Sequence, residues 1–174
     1  MPVYLKETQE FQKLEQFESV LIVPCRFCPA ASLAISNDEP YFEFFRTLLK
    51  TAAYERYIDT MKSELEKRGV KVDVFRSRVP HQFVVCMWTR RRRKKLMKRA
   101  KEYDALVVLG CEAAVQTILD SVETESFQVV QGMRTEGIMS VLPRFQLPGS
   151  ITLQLNSITP LLHRTQGPEP WISL

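Results

Sequence analysis

The stretch Ser19-Val20-Leu21-Ile22-Val23-Pro24-Cys25-Arg26-Phe27-Cys28 decides the fold. Its first five residues are apolar or small, partly β-branched and stopped by a proline, which is the pattern of a short strand buried on both faces. The same pattern returns at Ala105-Leu106-Val107-Val108-Leu109, followed by a Gly110-Cys111 turn. Between them, Val70-Lys71-Val72-Asp73-Val74-Phe75 alternates like a strand, and Phe83-Val84-Val85-Cys86-Met87 reads as a third strand or its extension. Phe127-Gln128-Val129-Val130 makes a further strand candidate.

Helical spacing fills the gaps. Tyr41, Phe45, Leu48, Leu49, Tyr54, Ile58, Met61 and Leu65 recur at helical intervals, with Pro40 before them and Gly69 after them, so a long helix is expected over residues 41–68. Thr89 is placed to cap a basic helix running through Leu96, Met97 and Ala100, and residues 113–122 form the next helix. A short amphipathic helix is expected within residues 1–17, and short strands near 138–142 and 151–155. Strands separated by helices imply right-handed crossovers and a sheet covered on both sides. The expectation is therefore an α/β protein: one Rossmann-like or flavodoxin-like domain over residues 1–158 with a mostly parallel sheet. An irregular C-terminal arm containing Pro160, Pro168 and Pro170 occupies 159–174.

A length of 174 residues suits one core. With 45% hydrophobic, 25% charged and 10% aromatic residues, the composition excludes disordered, collagen-like and coiled-coil classes. The longest apolar runs are far short of the roughly 20 residues a membrane helix needs. The amino end lacks the basic and apolar segments of an export signal, so a cytoplasmic protein is expected. In such a reducing compartment, four cysteines point to metal or redox chemistry before structural disulfides.

All four cysteines are expected at the carboxyl edge of the sheet, where parallel α/β folds bind ligands. Cys25 and Cys28 follow the first strand, Cys86 lies near the end of the third candidate, and Cys111 follows the fourth. Four thiols from three loops can meet at one point, and a four-thiolate site suits an iron-sulfur cluster or zinc. Two plainer readings stand beside it. Cys86 in an apolar run can be a small buried hydrophobe, and Cys25/Cys28 alone can be a dithiol redox pair.

Residues 90–99 hold eight of the 24 basic side chains and no acidic one, so the rest of the chain, with 16 basic against 20 acidic residues, is net acidic. Lys95, Lys98 and Arg99 suit a solvated helix face. Arg90, Arg91, Arg92 and Arg93 crowd a first helical turn, where the macrodipole disfavours cations by about a few tenths of a kcal/mol each. A nearby anion removes that conflict, whether a negatively charged cluster, an acidic protein, a phosphate group or RNA. Nothing matches a G-x-G-x-x-G or phosphate-loop motif, and His81 and His163 stand apart from any nucleophile elbow, so hydrolase chemistry has no support. Gln131-Gly132-Met133-Arg134-Thr135-Glu136-Gly137 reads as a turn at the same edge, with glycines that let backbone come close.

Leu109-Gly110-Cys111-Glu112-Ala113-Ala114-Val115-Gln116-Thr117 resembles the MetV-type family, also described as methylenetetrahydrofolate reductase carboxyl-terminal-like. The likeness extends to Cys25-Arg26-Phe27-Cys28 and to Cys86 before a basic helix, in order over residues 19–135. It implies an iron-sulfur or zinc-binding α/β protein supporting a flavin-dependent partner in one-carbon metabolism, with Cys25, Cys28, Cys86 and Cys111 as ligands. The chain departs from the family where Pro24, Arg26 and Glu112 replace glycine-rich surroundings, and in having no cysteine after Cys111.

The expected function is a non-catalytic accessory subunit with one [4Fe-4S] cluster, passing electrons to or from a flavoenzyme. Arg26, Glu112, Gln116 and Gly132 are expected around the ligands, and Arg90 to Arg93 are expected to meet an anion or the partner. The alternatives are a structural-zinc module, a basic-helix RNA- or phosphate-binding protein, and a dithiol oxidoreductase.

Overall fold

Two four-stranded sheets organise the chain, and the computed structural model describes them over residues 2–44, 50–76, 83–121, 127–146 and 149–161. β1 (Val3–Glu7) leads through a 3-10 helix at Gln9–Gln16 into β2 (Ser19–Pro24), α1 (Cys28–Ser36) and the short β3 (Phe42–Glu43). Then come α2 (Ala52–Lys67), β4 (Lys71–Val74), a 3-10 turn at Val85–Met87 and α3 (Arg90–Ala100). β5 (Ala105–Leu109), α4 (Glu112–Leu119), β6 (Gln128–Gln131), β7 (Met133–Gln146) and β8 (Ser150–Pro160) complete the order.

The first sheet runs β4-β2-β5-β6 with every pairing parallel. The chain leaves β2 for β4 on one side, then crosses back to β5 on the other. The winding direction thus reverses between β2 and β5, which opens a crevice at their carboxyl ends. Alternate residues of these strands enter separate cores. Val20, Ile22, Ala105, Val107 and Leu109 pack with α1, α2 and the second sheet, whereas Leu21, Val23, Leu106 and Val108 pack with Leu96, Ala100, Ala114 and Ile118 of α3 and α4. Burial on both faces explains why these strands read as unbroken apolar runs.

The second sheet, β1-β7-β8-β3, is antiparallel throughout, so the single mostly parallel sheet expected from sequence is one of two. The weak strand candidates near 138 and 151 are the visible parts of a long β7–β8 hairpin, whose outer half is too exposed to show an apolar alternation. β8 includes Thr159 and Pro160, the first residues of the expected arm, and 162–174 lie outside the described residues.

Three local expectations also change. The opening segment adds a strand, β1, paired with β7, before the expected short helix, which is of the 3-10 type at Gln9–Gln16. The helix expected from residue 41 begins at Ala52, since the Tyr41 amide donates to the Ile151 carbonyl (2.7 Å) and Phe42 pairs with Ile151, so sheet pairing overrides helical spacing there. Residues 85–87 form a 3-10 turn instead of a strand: only Val85 of the three is buried, and the Trp88 amide closes the turn by donating to the Val85 carbonyl at 3.0 Å.

Candidate metal centre

The crevice between β2 and β5 is built by backbone geometry. The Cys25 amide donates to the Leu109 carbonyl at 2.9 Å, and the buried Tyr54 hydroxyl donates to the same oxygen at 3.2 Å. Gly110 lets these chains meet, because a Cβ there would lie 2.7 Å from the Ala114 Cβ and 3.3 Å from the Cys25 Cβ. Cys25 follows β2, Cys28 opens α1, Cys86 sits in the 3-10 turn before α3, and Cys111 is the N-cap of α4.

Backbone N–H donors favour the thiolate at each sulfur: those of Phe27 and Val85 at Cys25, that of Val3 at Cys28, those of Ala113 and Ala114 at Cys111, and its own at Cys86. Val3 belongs to β1, so the second sheet supplies one of these donors. The thiols also sense one another: Cys25 feels Cys86 and Cys111, Cys28 feels Cys25 and Cys111, and Cys86 feels Cys111. All four are free cysteines.

Burial pushes the Cys25 thiol up to about 11 despite its two donors. Coupling between the two thiols, with burial, drives the Cys28 thiol far up, and the same coupling brings Cys111 down to about 6, helped by the amides at the start of α4. Cys86 is exposed, and partial desolvation together with the neighbouring Cys111 raises it. Among the described residues, no three His, Cys, Asp or Glu side chains stand as placed in a geometry that holds a metal ion. What the site offers a metal is its donor set, four soft sulfurs from three loops beside backbone donors that favour their thiolates.

The surrounding residues divide by use. Buried Arg26 grips Glu55 of α2 (Nε to Oε1 2.6 Å, Nη2 to Oε2 3.3 Å) and lies 5.9 Å from the Phe83 ring centre. Its Nη1 is buried without a hydrogen-bond partner. Glu112, in the first turn of α4, accepts from the Thr135 amide (3.2 Å), the Thr135 hydroxyl and the Gln131 amide group (3.3 Å), tying the cysteine edge to β7. Burial opposes its charge, yet the Thr135 hydroxyl and the other donors win and hold the carboxyl below its ordinary value. Gln116 is exposed and donates to Asp120 one turn on (2.7 Å). The hydrogen face of Gly132 is covered by Leu109 and Val107, and a Cβ on Gly137 would strike the Thr159 carbonyl at 2.5 Å, so these glycines serve close packing of strands.

Thr89 caps α3 by accepting from the Arg92 amide at 3.5 Å. Arg92 is buried, with its guanidinium 4.1 Å from the Phe75 ring centre and donating to the Arg76 carbonyl at 2.8 Å. Arg93 donates to the Trp88 carbonyl (3.1 Å), while Arg90 and Arg91 are exposed. Sequence reasoning did not find Glu55, Thr135, Tyr54 or the amide of Val3, because contacts made across elements and by backbone leave no local signal. His81 and His163 lie outside the described residues. No protein-family model matches this chain. No curated protein matches it, and no solved structure does.

Proposed function

We propose that the chain is an accessory subunit, working in the cytoplasm, that holds one [4Fe-4S] cluster on Cys25, Cys28, Cys86 and Cys111 and exchanges electrons with a flavoenzyme. The observation that carries this reading is that the four cysteines stand on three loops at one edge of the parallel sheet, beside backbone N–H donors that favour their thiolates, and sense one another's charge. Such donors stabilise the thiolate form that metal binding requires and, in iron-sulfur proteins, raise the reduction potential. The strand order fits a flavodoxin-like doubly wound arrangement, with the cysteines at its switch point. The likeness of the cysteine loops to the MetV-type family supports a flavoenzyme partner in one-carbon metabolism.

When bound, the cluster supplies a site that accepts and releases one electron. The chain's own residues then hold the sulfurs, exclude water through buried Cys25 and Tyr54, and fix the loops through Gly110 and Glu112. Protein purified without oxygen is expected to contain iron, acid-labile sulfide and sulfur-to-iron charge-transfer absorption, and each Cys→Ser replacement should lower the iron content. Zinc in their place supports the structural module. Protein free of any metal overturns both.

The electrostatic coupling of Cys28 and Cys111, which pack against the same core, favours a second reading, a dithiol redox pair that differs from the C-x-x-C pairing. Here both thiols lose a proton, two electrons pass to a small disulfide or flavin oxidant, and one S–S bond forms. Metal-free protein titrated with oxidised glutathione would then give an internal Cys28–Cys111 disulfide by peptide mass mapping, and iodoacetamide labelling of Cys111 would rise from about pH 6 while Cys25 stays protected.

A further inference from the structure

Arg90, Arg91, Lys94, Lys95 and Lys98 are exposed along α3 and form no ion pair among the described residues. Several exposed cations elsewhere do: Arg56 with Glu39, Arg68 with Glu15, Arg99 with Asp73 and Glu102, Arg134 with Glu136. The unpaired charges repeat at four-residue intervals, so they repel along the helix, and no acidic residue offsets the dipole in its first turn. A negatively charged surface laid along this helix relieves both effects.

The amino end of the same helix carries the sulfur site. Exposed Cys86 lies three residues before the Thr89 cap, its neighbour Met87 is 74% exposed, and Phe27, next to Cys28, is 45% exposed. The two loops are joined, for the Arg26 amide donates to the Phe83 carbonyl at 2.8 Å. Large exposed apolar side chains bordered by cations have the composition of a protein-binding face, with an apolar centre and a charged rim.

We infer that Phe27, Met87 and the exposed cations of α3 form a docking face for an acidic one-electron carrier protein, which approaches the cysteine site at Cys86. The redox role of that partner rests on the cluster reading, whereas the docking itself rests on charge and exposure. Single-stranded RNA fits less well: it needs a run of accessible rings, and Trp88, the aromatic beside the cations, is 5% exposed, packed on Phe75 (ring centres 5.5 Å) and covered by the Arg92 guanidinium.

The test titrates the full chain, purified without oxygen, with a plant-type ferredoxin as the acidic probe, over a range of salt concentrations. Binding should weaken as salt rises, and Lys94→Glu/Lys95→Glu should lower the association rate by about tenfold or more. Met87→Ser should speed dissociation, and Arg144→Glu, on exposed β7, should change neither rate. Equal binding by the wild type and Lys94→Glu/Lys95→Glu overturns the inference, as does a preference for a single-stranded RNA oligonucleotide over the ferredoxin. Iron measured in each sample separates the readings: charge-dependent ferredoxin binding by iron-free protein supports the docking face while the cluster fails, and charge-independent binding by iron-loaded protein overturns the face alone.

Discussion

The two sheets are built from equal numbers of strands and treated differently by the rest of the chain. β2 and β5 are short, covered on both sides, and end in cysteines. β7 has 14 residues and alternates buried Met133, Thr135, Gly137 and Met139 only along its first half, and from Leu142 to Gln146 every residue is exposed. Hydrogen bonding to β8 carries the strand on where no layer covers it. A ladder alone is therefore enough to extend a strand, but only a covered strand provides a rigid base for chemistry. The second sheet enters the site at two points, the Val3 amide at Cys28 and Thr135 at Glu112.

The contrast is sharpest for Leu106, fully buried between β5's neighbours and the α3–α4 layer. Leu106→Ala should lower unfolding stability by about 2–5 kcal/mol in urea titrations, through lost burial and a cavity the parallel strands cannot close. A loss below about 1 kcal/mol, well short of that range, would mean that the parallel sheet is no more firmly packed than the hairpin.

Gly110→Ala comes next. The new methyl group clashes with the Ala114 Cβ at 2.7 Å and crowds the Cys25 Cβ at 3.3 Å, and both lie on elements fixed at the crevice. Overpacking of this kind costs about 1–3 kcal/mol. The loss should come with reduced metal loading measured on the same protein, because Cys25 is one of the groups displaced. Stability lost with full metal loading would show that the crevice adjusts without moving its sulfurs.

The sequence made the parallel half legible because burial on both faces writes itself into composition: Leu21 and Ile22 face opposite cores, so neither position is polar. The placing of Cys25, Cys28 and Cys111 follows from strand ends and needed no knowledge of contacts. Cys86 was read as the end of a strand, yet it reaches the same edge from a 3-10 turn, since a short apolar run does not distinguish the two. The antiparallel half was obscure because its partners are distant in sequence: Tyr4 pairs with Gly137, and Phe42 with Ile151. The basic run showed its charge but not its division, in which Arg92 turns inward onto Phe75 while Arg90 and Arg91 stay outside.

Glu112 tests the join between the sheets at a smaller scale. Glu112→Gln keeps the size of the side chain but weakens its bonds with Thr135, and at neutral pH the loss should be about 1 kcal/mol, reduced from a fully buried value by solvent at this partly exposed group. Because the folded carboxyl titrates below its ordinary value of 4.5, its contribution is complete above that value and disappears as pH falls through the lower, folded one. Urea midpoints of the two proteins should therefore differ at pH 7 and converge in acid. A difference that persists in acid would assign the effect to shape rather than charge.

Phe145 marks the smallest effect and the most direct way to break the contrast. It is 77% exposed near the tip of β7, opposite Ile151 in the ladder. No described residue buries it, so Phe145→Ser should change unfolding stability by no more than about 0.5 kcal/mol. A loss of about 2 kcal/mol, that of a buried aromatic side chain, would mean that the outer hairpin is covered in solution. A cover provided by a second copy of the chain would make the wild-type midpoint rise with protein concentration and leave the variant's midpoint independent of it. Equal, concentration-independent midpoints would show that the outer hairpin stands on its ladder and on its root between β1 and β3.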